Sequence, residues 1–473
     1  MEETVKLKRG DVLEKIVIAD AVSEGKCIAR AESLVIFITG GIPGDIADLR
    51  IDKVKSSYVE ATVINIHEAS PHRVIPFCEH FGNCGGCTWQ HMTYEMQLQF
   101  KQKQVEDALI RLGKITIPVV NPILPSSNIK YYRNRLDFAF SNKRWLTKEE
   151  ISSGDRFDQQ ALGFHVPKRF DKILDIRKCY LMDDFQNTIR LAVKDICMKE
   201  GFSFFDQVSQ EGIMRNMMVR NTSRGEWMVL IIFHKENKSA IQNLLGELSG
   251  RFPQITSLLY IINPKRNDTF YDLPVHVFKG VDHITEEMEG LSFRISAKSF
   301  YQTNSEQAYV LYKVARDFAG LTGQEIVYDL YTGTGTIAQF ISAKAKKVIG
   351  IDHTPDAIED AKANSKRNGI TNAEFFAGDI KDTLTKEFLE THGRPDVVIT
   401  DPPRAGMHEK VVQRINEMLP EKVVYVSCNP ATQARDLALL DQNYMVEKIQ
   451  PVDMFPHTTH VENVALLIKR SHT

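Results

Sequence analysis

Cys428 closes an apolar run, Lys422-Val423-Val424-Tyr425-Val426-Ser427, and is followed at once by Asn429-Pro430. That order sets a thiol at the C-terminal tip of a buried strand, where open α/β sheets form their ligand crevices. A thiol in such a crevice is suited to nucleophilic attack and a covalent intermediate. Two other strand tips precede it in the chain, Asp329-Leu330-Tyr331-Thr332-Gly333-Thr334-Gly335-Thr336 and Thr400-Asp401-Pro402-Pro403-Arg404. A single glycine turn is a weak signal. A Gly-rich loop, an Asp-Pro-Pro and a cysteine on successive tips point together to a methyl transfer that uses a cysteine nucleophile. The competing reading of Cys428, a packed core thiol, is disfavoured by Asn-Pro directly after it.

The glycine loop alone fits two cofactors. Gly333-x-Gly335-x-x-Ala338 has the form of a dinucleotide fingerprint, and Asp352 ends the next strand, where an acid can hold ribose hydroxyls of a nicotinamide cofactor or of S-adenosylmethionine. Asp401-Pro402-Pro403 favours the second, because a rigid acidic tip serves a base-modifying transferase. Amine methyltransferases put an aromatic residue after the prolines to stack a flipped base. Here Arg404 follows, which leaves a carbon target. Carbon 5 of uracil is too weak a nucleophile to take a methyl group unaided. Thiolate addition at carbon 6 turns the ring into an enolate, and a base must later remove the carbon 5 proton. Glu462, in His457-Thr458-Thr459-His460-Val461-Glu462-Asn463-Val464, leads into a last strand and is the candidate base; a surface carboxylate is the alternative. His457 and His460 have no third ligand nearby and read as a loop lining the site.

Seven cysteines, an odd number in a chain whose start has no apolar export core, argue against a disulfide framework. Cys78, Cys84 and Cys87 crowd into ten residues with Gly85 and Gly86 between them, and Cys179 is the best remote fourth thiol. Structural zinc and an iron–sulfur cluster both suit four thiolates. One tight triplet with a distant singleton favours the cluster over paired zinc ligands, and free cysteines seldom crowd in this way. Cys27 and Cys197 stand alone and read as packing residues.

The elements that must position these groups divide in three. Residues 1–70 alternate apolar and polar positions with turns at Gly40-Gly41 and Pro43-Gly44-Asp45, as in a small β-barrel. Residues 71–290 hold the cysteine triplet, a helix expected over Tyr94 to Leu112 with Leu98, Val105, Ala108, Leu109 and Leu112 on its apolar face, and then mixed strands and helices. From 291 to 473 strands at Glu325–Tyr331, Lys347–Asp352, Ala373–Ala377, Asp396–Thr400 and Lys422–Ser427 alternate with helices, which predicts a doubly wound, Rossmann-like parallel sheet. The fold class is therefore α/β with a barrel and a mixed α+β unit in front. With 43% hydrophobic and 25% charged residues the composition is globular, and no apolar run is long enough to span a bilayer, so a cytoplasmic protein is expected. A net charge of −2 gives no global nucleic-acid signature, but residues 131–180 hold 11 Lys and Arg against 7 Asp and Glu.

With these motifs in place the chain resembles, almost end to end, the RNA uracil-5 methyltransferase family, and most of all its bacterial 23S ribosomal RNA members with a TRAM domain and an iron–sulfur cluster. Gly41-Ile42-Pro43-Gly44-Asp45 resembles the TRAM turn, Ser427-Cys428-Asn429-Pro430 the nucleophile motif and His460-Val461-Glu462 the base motif. The resemblance implies S-adenosylmethionine contacts at Gln302, in Phe300-Tyr301-Gln302-Thr303-Asn304, and at Tyr331, Asp352 and Asp401. It implies a 4Fe-4S cluster on Cys78, Cys84, Cys87 and Cys179. Asp352 replaces a more usual Glu and Thr332 a frequent Cys, and neither change removes a catalytic group. Tyr132-Arg133-Asn134-Arg135 resembles a family segment whose RNA-contact role competes with that of a solvated charged face. The implied partner is RNA, 23S ribosomal RNA first and transfer RNA second, with no membrane and no obligate protein partner. Members resembling only the catalytic half usually lack barrel and cluster, which is the basis for preferring ribosomal RNA. A non-catalytic RNA-binding protein is the alternative of another class.

Overall fold

The computed structural model describes residues 7–22, 25–31 and 34–471. Strands β1 (Val12–Val17), β2 (Asp20–Ala21), β3 (Cys27–Ala31), β4 (Leu34–Thr39), β5 (Ile46–Val54) and β6 (Tyr58–Glu68) form one sheet in the order β1-β5-β6-β4-β3-β2. Alternate residues of these strands, among them Cys27, Ala29, Ile36, Ile38, Leu49, Ile51, Val59 and Ala61, turn to one buried core, as a period of two requires. The turn before β5 is fixed by buried Asp45, whose carboxylate accepts from the Ile42 and Ser70 amides and meets the Arg73 guanidinium at 2.5 Å.

A second sheet follows, built from β7 (Arg135–Ser141), β8 (Ala161–Val166), β9 (Arg169–Asp175), β10 (Met214–Asn221), β11 (Trp227–Phe233), β12 (Ile255–Ile262) and β13 (His276–Gly280). Its order is β13-β12-β11-β10-β7-β8-β9. Every residue of β11 is buried, which explains its unbroken apolar sequence. The hairpin β14 (His283–Met288) and β15 (Leu291–Ser296) leads to the third sheet.

That sheet consists of β16 (Ile326–Leu330), β17 (Lys347–Asp352), β18 (Ala373–Ala377), β19 (Val397–Thr400), β20 (Lys422–Ser427), β21 (Tyr444–Val452) and β22 (Glu462–Lys469), in the order β18-β17-β16-β19-β20-β22-β21. The first five are parallel, and the chain reverses direction of travel between β16 and β19. The last strand in sequence inserts antiparallel between β20 and β21 rather than adding at the edge. This is the Rossmann-like sheet expected, and its switch point between β16 and β19 is where such folds bind ligands, beyond the strand C-termini.

The expected helix over 94–112 differs in two ways. The α-helix runs Tyr94–Asp107 and continues as a π-helical turn, Ala108–Gly113, which leaves Leu112 exposed. Its buried face carries Gln97 and Lys101 beside Val105, whereas Leu98 is only partly covered. The reason is its neighbour. Lys101 Nζ lies 2.6 Å from Asp453 Oδ1 and donates to the Phe455 carbonyl at 2.9 Å, with neither charged side chain exposed. Tyr94 donates to the other Asp453 oxygen at 2.7 Å. Removing one partner strands the other as a buried charge, so Lys101→Met should destabilise the protein by about 3–5 kcal/mol. A lower urea midpoint would show it, and adding Asp453→Asn should recover part of the loss by neutralising the orphaned carboxylate.

Candidate active site

The loop after β16 is shaped by a carboxylate beneath it. Asp329 is fully buried, and its Oδ2 accepts from Thr332 Oγ1 at 2.6 Å and from the Ala338 amide at 3.0 Å. Tyr331, Gly333 and Gly335 all have positive φ. A Cβ on Gly335 would meet the Phe375 ring at 2.9 Å and Ala361 Cβ at 3.0 Å, so only glycine fits there. Asp352, at the tip of β17, accepts from the Gly333 amide at 3.0 Å and from Thr354 N at 2.8 Å. Those bonds fix its carboxylate beside the glycine loop and leave lone pairs for ribose hydroxyls. The donor set therefore fits an adenosyl cofactor. Gln302 lies in the segment between β15 and the helix Ser305–Ala319, its backbone carbonyl accepting from Asn134 Nδ2 at 2.9 Å.

Cys428 and Glu462 meet by register. Ser427 pairs with Asn463 at the end of the β20–β22 ladder, so the next residue on one strand is Cys428 and on the other Glu462. Glu462 is buried and Cys428 partly exposed. Asn429 caps the helix Pro430–Leu440, and its side chain donates to the Arg404 carbonyl at 3.0 Å, which ties the thiol's turn to the Asp401-Pro-Pro tip. Arg404 reaches His460 Nε2 at 3.4 Å.

Burial governs the electrostatics. It pushes Asp329 up to about 7, and Asp401 also to about 7 with help from the Asp329 charge. Burial, then Asp401, pushes Glu462 up to about 8, against the pull of Arg404. The Cys428 thiol is pushed up to about 11 by burial and then by Glu462 and Asp401, with Arg404 again opposing. Burial thus disfavours the charged form of both the thiol and its neighbouring carboxyl in the resting site.

The four clustering cysteines line a single cavity of ≈ 1180 Å³. Burial pushes Cys84 up to about 11 and Cys87 up to about 12, each reinforced by neighbouring sulfurs, and it raises Cys78 and Cys179 as well. Among the described residues, no three His, Cys, Asp or Glu side chains converge closely enough to hold a metal ion as they stand. The set fits a soft metal in donor type and in sharing one cavity, not in ligand spacing. Two residues missed in the sequence hold the segments in place. His80 Nε2 accepts from the Arg177 amide at 2.9 Å, and Asn187 bonds both the amide and the carbonyl of Cys179. Arg133, Arg135 and Lys178 of the basic stretch face the same cavity. Tyr132 and Asn134, by contrast, are buried and bond the Pro456 and Gln302 carbonyls.

The profile of the tRNA (Uracil-5-)-methyltransferase family matches residues 93–470, and that of the TRAM domain residues 6–64. The chain belongs to the RNA uracil-5 methyltransferase family. As a member it is an S-adenosylmethionine-dependent RNA methyltransferase with a TRAM domain. It is 58% identical, over 94% of this chain and 99% of the other, to an uncharacterized RNA methyltransferase of Bacteroides thetaiotaomicron. A second uncharacterized RNA methyltransferase, of Porphyromonas gingivalis, is 54% identical over 96% of this chain and 99% of its own. Among solved structures, the Pyrococcus abyssi tRNA (uracil-54, C5)-methyltransferase in complex with S-adenosyl-L-homocysteine superposes with a TM-score of 0.74 at 29% identity, over 96% of this chain and 100% of its own. Among the described residues, no helix is long and apolar enough to cross a membrane.

The raised acid makes a stability prediction. Glu462 titrates near 4.5 when free and near 8 when folded, so between those values the unfolded chain loses a proton that the folded chain keeps. Wild-type stability should therefore fall relative to Glu462→Gln as pH rises from about 4.5 to about 8, by up to ~1.4 kcal/mol per pH unit, and run parallel above that. Urea midpoints of both proteins across this range check it.

Proposed function

We propose that this protein transfers a methyl group from S-adenosylmethionine to carbon 5 of a uridine in folded RNA through a covalent cysteine–uracil adduct. The observation that carries this reading is the adjacency of Cys428 and Glu462 at the ends of β20 and β22, within a crevice rimmed by Asp401 and the glycine loop. When bound, S-adenosylmethionine supplies an electrophilic methyl group. Gln302, Tyr331, Asp352 and Asp401 line its site, and Asp401 also faces the uracil edge. The target base must leave its stack to expose a ring face to the thiol. Cys428 adds to carbon 6 as the thiolate, and Arg404 is the cation that favours that charged form. Carbon 5 then takes the methyl group as that methyl's bond to the sulfonium sulfur breaks, with S-adenosylhomocysteine as the leaving group. Glu462 and Cys428 must each first give up a proton to solvent; Glu462, as the carboxylate, then takes the carbon 5 proton, the carbon 6–sulfur bond breaks, and the thiolate returns. In this reading residues 1–70 and 71–290 dock RNA, residues 291–473 carry out the transfer, and the enzyme works in the cytoplasm.

Two RNA substrates have support. The resemblance to cluster-bearing members favours 23S ribosomal RNA. The Pyrococcus abyssi neighbour, a transfer RNA enzyme by name, shares the architecture over nearly the whole chain, so the barrel does not discriminate and transfer RNA is the second reading. Mapping 5-methyluridine in both RNAs from a strain lacking this protein decides between them.

The resemblance to cluster-bearing members is what favours a 4Fe-4S cluster on Cys78, Cys84, Cys87 and Cys179; the four thiols share a cavity but would have to draw closer to hold it, and it would take no part in the chemistry. Anaerobically purified protein should then contain about four irons per chain. Stoichiometric zinc without iron would contradict it. In the catalytic site, Cys428→Ala should lower methyl transfer from labelled cofactor about ten-thousand-fold while cofactor affinity stays unchanged. Near-normal turnover by that variant would rule out the covalent route.

A further inference from the structure

Residues 453–461 join β21 to β22 and lead into Glu462; Met454 and Val461 pack into the cores of the catalytic sheet, while the polar support of Asp453, Phe455 and His457 comes from the helix Tyr94–Asp107 and the segment before it. Gln97, fully buried, sits at the centre. Its Oε1 accepts from the His457 amide at 2.9 Å, and its Nε2 lies 3.3 Å from His457 Nδ1 while donating at 2.9 Å to both the Trp89 and Met92 carbonyls. The His457 carbonyl in turn accepts from the Thr88 and Trp89 amides at 2.9 and 3.0 Å. One helical turn further on, Lys101 holds Asp453 and the Phe455 carbonyl, and Tyr94 holds Asp453 from the other side. His457 is locked at a φ of 65°, a left-handed conformation that a non-glycine side chain keeps only when its surroundings impose it. Burying an amide and an ammonium on one helix face costs more than an apolar face would unless each is satisfied. Here the ammonium is satisfied by this loop alone, and the amide by the loop together with the Trp89 and Met92 carbonyls.

We infer that the helix Tyr94–Asp107 is a brace for the proton-abstraction step: Tyr94, Gln97 and Lys101 are positioning residues that set the register of the 453–461 loop and hence the aim of Glu462. This rests on the reading of Glu462 as the base. The prediction is specific to one step. Cys428 follows β20 and the glycine loop follows β16, and the hydrogen bonds of Tyr94, Gln97 and Lys101 go to neither. Loosening the brace should therefore spare thiol addition and methyl transfer and slow release of the methylated RNA.

The test is a single-turnover partition measured with ordinary uridine RNA and labelled cofactor, in which protein-bound and free methylated RNA are separated under denaturing conditions. Gln97→Leu keeps the volume and removes the polar clasp. Tyr94→Phe removes a single oxygen, keeps the ring, and decides the matter if Gln97→Leu does not fold. Release should slow by roughly 10–100-fold against methyl transfer, so that covalent adduct accumulates, because a base displaced by about 1 Å loses that much. A merely structural role would lower the melting temperature or slow both steps together and leave the partition as in wild type. Glu462→Gln serves as control. If it releases RNA normally, the base assignment itself fails. If it stalls while both brace variants release at wild-type speed, the brace is overturned and the base assignment stands.

Discussion

The contact on which the architecture depends is a buried ammonium–carboxylate pair. Lys101 and Asp453 lie 352 residues apart in sequence and 2.6 Å apart in space, shielded from water. Such a pair contributes little net stability, because desolvation offsets most of the attraction, but it tolerates no other arrangement. It fixes the helix after the cysteine loop against the last hairpin of the catalytic sheet. Through His457, Thr88 and Trp89 it also joins that hairpin to the backbone that follows Cys87. The cysteine cavity, the basic stretch facing it and the crevice of Cys428 and Glu462 are thereby held in one frame.

Within that frame, the crevice concentrates carboxyl groups where water is scarce. Asp329, Asp401 and Glu462 each raise the cost of ionising another group, and the thiol carries part of that cost. The arrangement disfavours a free thiolate at Cys428, and in the proposed reaction that cost must be met before the thiol can add. Arg404, exposed and tied to His460, is the cation placed to shift that balance.

Much of the catalytic sheet was legible in the sequence because its strands are buried on both faces and read as continuous apolar runs, Val423 to Val426 above all. The residue types at the strand tips were legible for the same reason: a polar group directly after such a run has few places to be. What escaped was polar burial. A helical pattern counts apolar residues, so it chose Leu98 and passed over Gln97 and Lys101, whose partners lie in a loop hundreds of residues away. Asp329, inside an apolar strand, was an available signal for a loop organiser and went unused. The antiparallel insertion of β22 between β20 and β21 has no local signature, since strand order is set by tertiary pairing. The barrel carries no substrate signal of its own: a docking module reports that RNA is bound, not which RNA.

The central claim, a covalent bond between Cys428 and carbon 6 of uracil, is tested most directly with RNA carrying 5-fluorouridine at the target position. Fluorine cannot leave as a proton, so the methylated adduct cannot resolve. After incubation with S-adenosylmethionine, intact-mass analysis should show protein plus methylated RNA surviving denaturation, and digestion should place the link on the peptide containing Cys428. A methylated product with no linked protein, or a link on any other residue, would contradict the account.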